Sequence, residues 1–96
     1  MPPQIIGLRG DMANKRYPLG EAPLSLGRNP ENTVVLSGGR ASRRHAEIRR
    51  DGADYVLSDL GSANGTFVNG TRLQGEATLR PGDQVQFGEV RFRYEG

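Results

Sequence analysis

Two Asn-Gly pairs, Asn64-Gly65 and Asn69-Gly70, bracket the β-forming run Thr66-Phe67-Val68 in a chain of 96 residues. Asn-Gly is the strongest short-range signal for a tight reversal, because both residues tolerate positive φ. Asn69-Gly70 stands between Thr66-Phe67-Val68 and Thr71-Arg72-Leu73 and so predicts a hairpin. Asn64-Gly65 instead ends an irregular polar stretch, Gly61-Ser62-Ala63-Asn64, that has no hydrophobic period of its own. A polar, glycine-punctuated loop between strands is where a rigid scaffold commonly mounts binding residues.

The rest of the chain repeats the same short-strand, tight-turn pattern. Gln4 to Leu8 reads as a first strand and Arg16 to Leu19 as its partner, joined by a polar turn at Gly10-Asp11, with Pro18 marking an edge or a strand end. Leu24 to Arg28 alternates apolar and polar, Asn29-Pro30-Glu31-Asn32 breaks it, and Thr33 to Leu36 is a short β-branched run. Ala46 to Arg49 and Tyr55 to Ser58 form a second hairpin signal across Asp51-Gly52. Ala77-Thr78-Leu79 and the strict alternations Gln84 to Phe87 and Val90 to Tyr94 complete the set, the last placing Val90, Phe92 and Tyr94 on one face. No window has helical spacing. Ten or eleven short strands at such intervals predict a single all-β domain over residues 1–96, an antiparallel β-sandwich or barrel.

Composition narrows the function classes. Hydrophobic residues make up 34% of the chain, with 14 Gly and 6 Pro, which suits strands and turns better than packed helices. There is no cysteine, hence no disulfide framework and no thiolate metal site, and cysteine usage leaves the compartment open. Apolar runs such as Tyr55-Val56-Leu57 are far too short for a membrane span or a signal-peptide core. A cytoplasmic, membrane-free protein is the expectation. The net charge is only +2, yet Arg40, Arg43, Arg44, Arg49 and Arg50 crowd into eleven residues while Lys15 is the sole lysine. Arginine is preferred where a planar fork grips phosphate or carboxylate, although such a run is also what a solvated face looks like.

Three loops carry side chains suited to one ligand. Gly27-Arg28 ends a strand, Ser42-Arg43-Arg44-His45 precedes one, and Ser62-Ala63-Asn64-Gly65-Thr66 follows one. Arg28 offers a bidentate donor fork, Ser42 a hydroxyl, and Arg43 a further donor, a set that suits a doubly charged phosphate. The Asn64 amide can satisfy both the N–H and the C=O of a peptide backbone.

Gly27-Arg28, Ser42-x-x-His45, the stretch Asp59-Leu60-Gly61-Ser62-x-Asn64-Gly65-Thr66-x-x-Asn69-Gly70, and Leu79-x-Pro81-Gly82-Asp83-x-Val85-x-Phe87-Gly88 together resemble the signature of the forkhead-associated domain. Order and spacing match over nearly the whole chain. The resemblance implies an eleven-stranded β-sandwich that binds phosphothreonine peptides through loops at one end, without catalysis and without a cofactor. It assigns Arg28 and Ser42 to the phosphate and adds Arg43 as a phosphate or peptide contact. Asn64 would hold the peptide main chain. Ala63 stands beside it at a position that is often threonine in the family. Arg40 matches a variable position that often meets the third residue after the phosphothreonine. His45 would brace the loops from within, and Gly27, Gly65, Thr66, Asn69 and Gly70 would be architectural. The implied partner is a phosphothreonine-containing protein or peptide, and the implied setting is a signalling adaptor within a larger protein; oligomeric state stays open.

Other classes fit less well. Ser42, His45 and Asp59 could be drawn as a hydrolase triad, but no nucleophile elbow accompanies them. One histidine and no cysteine argue against a transition-metal site. The arginine run admits a basic nucleic-acid-binding β-domain, yet it lacks interleaved aromatics for base stacking. A module that binds partners independently of phosphate is the remaining alternative.

Overall fold

A computed structural model describes residues 3–96. Eleven strands follow one another as β1 (Gln4–Gly7), β2 (Arg16–Pro18), β3 (Leu24–Gly27), β4 (Val34–Val35), β5 (Ala46–Asp51), β6 (Asp54–Asp59), β7 (Thr66–Val68), β8 (Thr71–Arg72), β9 (Glu76–Thr78), β10 (Gln84–Phe87) and β11 (Val90–Glu95). They form a six-stranded sheet in the order β2-β1-β11-β10-β7-β8 and a five-stranded sheet in the order β4-β3-β5-β6-β9. The expected all-β sandwich is therefore present, with β2 and its Pro18 at a sheet edge as anticipated.

Period-two alternation explains which face of each strand is buried. Val85 and Phe87 of β10, Val90, Phe92 and Tyr94 of β11, and Ile5 of β1 point inward from one sheet. Leu24 and Leu26 of β3, Ile48 of β5 and Leu57 of β6 meet them from the other. Phe87 and Phe92 pack at 6.0 Å between ring centroids, and Tyr17 meets Phe92 edge-on at 6.1 Å. Each fully buried Ile, Leu or Phe contributes about 1.5–3 kcal/mol, so this shared core holds the two sheets together.

Two local expectations need correction. The sandwich is not wholly antiparallel, because β4 runs parallel to β3, with Leu26 beside Val34 and Gly27 beside Val35. The segment from Arg28 to Thr33 doubles back toward the start of β3, where the Thr33 N–H donates to Ser25 Oγ at 3.0 Å. The chain then climbs alongside β3, and Leu36 N–H donates to Gly27 C=O at 2.8 Å. The polar link at Gly10-Asp11 is a single turn of 3-10 helix, Gly10–Met12, rather than an open turn. Burial of Met12 in the core explains it: a tight turn aims that side chain inward.

The Asn69-Gly70 hairpin forms as expected, with φ of 51° and 83° at its two central residues. Those values belong to the type I′ turn that matches the twist of paired strands. At Asn64-Gly65 only Gly65 takes a positive φ, 88°, so this pair closes a loop and not a hairpin.

Candidate phosphate- and peptide-binding site

The loops β3–β4, β4–β5 and β6–β7 meet at one end of the sandwich because backbone hydrogen bonds join them directly. Arg28 N–H donates to Ser42 C=O at 2.9 Å and Asn29 N–H to Arg43 C=O at 3.1 Å. The first two loops thus run side by side for two residues, which sets Arg28 next to Ser42. Asn32 strengthens the junction by donating its amide to Asn29 C=O and Arg43 C=O, at 2.9 and 2.8 Å. Gly27 is required here: a Cβ on it would lie 2.1 Å from the Arg43 carbonyl oxygen, a backbone atom that cannot retreat alone.

The third loop is tied in through Ser42. Its Oγ accepts the Ala63 N–H at 3.0 Å, which leaves the hydroxyl proton free to be donated elsewhere. Asn64 donates its amide to the Arg40 carbonyl at 2.9 Å, so its side-chain oxygen keeps its acceptor capacity while the NH₂ braces the loop opposite. That bond was not foreseen. The expectation for Asn64 concerned an external peptide, and the structure gives the same side chain an internal anchor as well.

His45 is fully buried and links the β4–β5 and β6–β7 loops from below. Its Nδ1 accepts the Ser42 N–H at 3.1 Å and its Nε2 lies 2.9 Å from Gly65 C=O. A donor at one nitrogen and an acceptor at the other identify the neutral tautomer protonated on Nε2. The ring edge also packs on Phe87, with centroids 5.7 Å apart. Both ring nitrogens are thereby committed to backbone, and neither faces the Ser42 hydroxyl or the Asp59 carboxylate. A Ser42–His45–Asp59 triad is not formed.

Asp59 is the residue that sequence reasoning undervalued. One carboxylate oxygen accepts the hydroxyls of Ser62 and buried Thr66 at 2.6 and 2.7 Å, and the other accepts the N–H groups of Gly61 and Ser62, both at 3.0 Å. Burial works to raise its pKa, but these four donors outweigh it and hold the carboxyl below the ordinary value. Ser62 Oγ in turn accepts the Gly65 N–H at 3.0 Å. The Asp-x-x-Ser spacing, a recognised local capping pattern, carried this signal in the sequence. The β6–β7 loop is consequently a prefolded mount for Ala63 and Asn64.

Arg28 and Arg43 are exposed and line a surface depression of about 330 Å³ together with Asn29 and Pro30. Among the described residues the ion pairs are Arg49–Glu76, Arg50–Glu21 and Arg93–Glu95, so no carboxylate neutralises Arg28, Arg40 or Arg43. Arg40 is exposed in the loop that leads to Ser42. Asn69 and Gly70 do not join the site; they lie at the far end of β7, where Asn69 caps Gln84 N–H and donates to Asp83. Chemically, the end of the sandwich offers three guanidinium groups without a carboxylate partner, a hydroxyl donor and an amide acceptor on loops tied together from within.

Known proteins share this fold and this order of motifs. The FHA domain model matches residues 24–88, the span that runs from β3 through β10 to the start of the β10–β11 turn. The chain is 40% identical over 88 residues to an oxoglutarate dehydrogenase inhibitor of Corynebacterium jeikeium, covering 92% of this chain and 60% of that one. An FHA domain solved in work on phosphothreonine-dependent FHA domain interactions superposes with a TM-score of 0.90 at 31% identity, covering 100% of this chain and 97% of that one. EmbR of Mycobacterium tuberculosis, solved with a low-affinity phosphopeptide, gives a TM-score of 0.89 at 31% identity over 97% of this chain and 24% of its own. The chain spans little more than half the length of these curated relatives, 60% of the inhibitor and 55% of a glycogen accumulation regulator of Mycolicibacterium smegmatis. Fold, motif order and loop geometry lead to one conclusion: this chain belongs to the forkhead-associated (FHA) domain family.

Proposed function

We propose that this domain is a non-catalytic signalling module that binds phosphothreonine-containing segments of partner proteins. Arg28, Ser42 and Arg43 hold the phosphate, Asn64 and the neighbouring Ala63 meet the peptide main chain, and Arg40 faces residues downstream of the phosphate. The observation that carries the reading is the Ser42 hydroxyl. Its oxygen accepts the Ala63 N–H, which holds the side chain in place and leaves its proton available as a donor, and the Arg28 backbone is bonded to the same serine. Unpaired guanidinium groups flanking a fixed hydroxyl suit a dianionic phosphate, which accepts several charge-assisted hydrogen bonds at once.

The relatives support the same reading: one FHA domain was solved in the context of phosphothreonine-dependent interactions and EmbR with a phosphopeptide. We further propose that residues 1–96 act as one domain of a larger cytoplasmic regulator, in line with the partial coverage of its relatives. Among the described residues no helix is long and apolar enough to cross a membrane.

Titration calorimetry with paired phosphothreonine and unphosphorylated peptides tests the proposal. Only the phosphorylated peptide should bind, and Arg28→Ala should weaken it by about tenfold to a hundredfold, the equivalent of about 1.5–3 kcal/mol for a lost charge-assisted bond. Equal affinity for wild type and a folded Arg28→Ala would refute the assignment.

A further inference from the structure

The two outer faces of the sandwich carry opposite charge. On the five-stranded sheet, alternation turns Glu47, Asp51, Asp54 and Glu76 outward with Arg49 alone opposing them. On the six-stranded sheet the outward set is Arg16, Arg72, Arg91 and Arg93, with Glu95 the single carboxylate. The modest net charge of +2 therefore hides a strongly basic face.

Strand register arranges that face in rows. Arg16, Ile6, Arg93 and Gln84 lie side by side across four strands, and Arg91, Gln86, Phe67 and Arg72 form the next row toward the loop end. Neighbouring strands lie about 4.8 Å apart and successive outward residues about 6.8 Å apart, close to the spacing of alternate side chains in an extended peptide. Arg93 already grips one carboxylate, donating from Nε and Nη2 to Glu95 at 3.1 and 2.7 Å, which shows the acceptor chemistry the face suits. Half-buried Phe67 supplies an apolar contact beside it, and a depression of about 350 Å³ opens between Gln84, Gln86 and Arg91.

We propose that the outer face of the six-stranded sheet is a second docking surface, for an acidic, Asp/Glu-rich segment of a partner protein, separate from the loop-end site. Carboxylates at alternate positions would meet Arg91 and Arg16 or Arg93, the amides of Gln84 and Gln86 would bond peptide groups, and an apolar residue would cover Phe67. The acidic opposite face disfavours an extended polyanion such as nucleic acid, whose long-range field would be repelled by it. The surface does not depend on phosphate recognition by Arg28 and Ser42.

The test is an NMR titration of the whole chain with an unphosphorylated Glu-Leu-Glu-Glu repeat peptide, in parallel with oligo-dT. Amide shifts centred on Phe67, Gln86 and Arg91 are expected, in wild type and equally in Arg28→Ala, weakening as salt shortens the screening length from about 10 Å at 0.1 M. Arg16→Glu/Arg91→Glu should weaken the peptide by about tenfold, because two exposed attractions are lost and repulsion replaces them. The control Arg50→Glu/Arg80→Glu, with the same net charge, should not. The neutral pair Arg16→Gln/Arg91→Gln serves should the reversed variant not fold. Shifts confined to the Arg28, Ser42 and Asn64 loops, binding unaffected by the Arg16/Arg91 substitutions or weakened as much by the control pair, or tighter binding of oligo-dT at this face would overturn the proposal. Failure of phosphothreonine peptides to bind would leave this readout intact and would refute only the loop-end function.

Discussion

Replacing His45 by leucine isolates the contribution of the clamp beneath the binding loops. The substitution removes the acceptor for Ser42 N–H and the donor to Gly65 C=O together. An unsatisfied buried polar group costs about 1–3 kcal/mol. Gly65 is buried and belongs at the upper end, whereas half-buried Ser42 can recruit water and belongs at the lower. The combined loss is about 2–4 kcal/mol, out of about 5–14 kcal/mol expected for a domain of this size, so the variant should still fold. In melting temperature that corresponds to a fall of about 8–30 °C. Urea denaturation followed by circular dichroism measures the change, with an unaltered m-value as the sign that the native and denatured states remain comparable. His45→Gln keeps a donor and an acceptor and should recover part of the loss. A leucine variant within about 0.5 kcal/mol of wild type, or identical losses for leucine and glutamine, would show that the two bonds do not brace the site.

Gly27→Ala forces a Cβ to 2.1 Å from the Arg43 carbonyl and should destabilise the fold by at least about 1–3 kcal/mol, the range for overpacking, while displacing Ser42; parallel denaturation and phosphopeptide titrations would reveal both effects. Glu76 is pulled from 4.5 to about 2 by hydrogen bonds from Arg49 and Ser58, so its contribution to stability is complete above about pH 4.5 and disappears as pH falls toward 2. Glu76→Gln should flatten the stability profile across that window, with a small effect because the pair is exposed; an unchanged profile in acid denaturation would contradict it. Phosphopeptide affinity should fall between about pH 7.5 and 5.5 as the phosphate loses its second charge, and a flat profile would mean that the monoanion suffices.

The local code of the chain was legible because it rests on steric and periodic rules that need no distant partner. Alternation in Gln84–Phe87 and Val90–Glu95 set which residues face inward, and Asn69-Gly70 set the hairpin, with φ values only Asn and Gly adopt readily. Arg28, Ser42 and Asn64 were identifiable as candidates from residue type and motif spacing.

Tertiary structure alone decided what holds them together. The parallel pairing of β4 with β3 depends on a return path fixed by Thr33 and Ser25, a contact that no strand periodicity encodes. Asn64 reaching Arg40 C=O, Asn32 reaching Arg43 C=O and Ser42 capping Ala63 N–H span 24, 11 and 21 residues of sequence, and exist only once the strands have brought these loops together. The charge asymmetry of the two outer faces is likewise invisible in a linear count, since Arg16, Arg72 and Arg91 lie on three different strands of one sheet. Sequence fixes the conformations each segment prefers; the shared core fixes which side chains become neighbours, because burying it selects one arrangement of strands out of the many that those preferences allow.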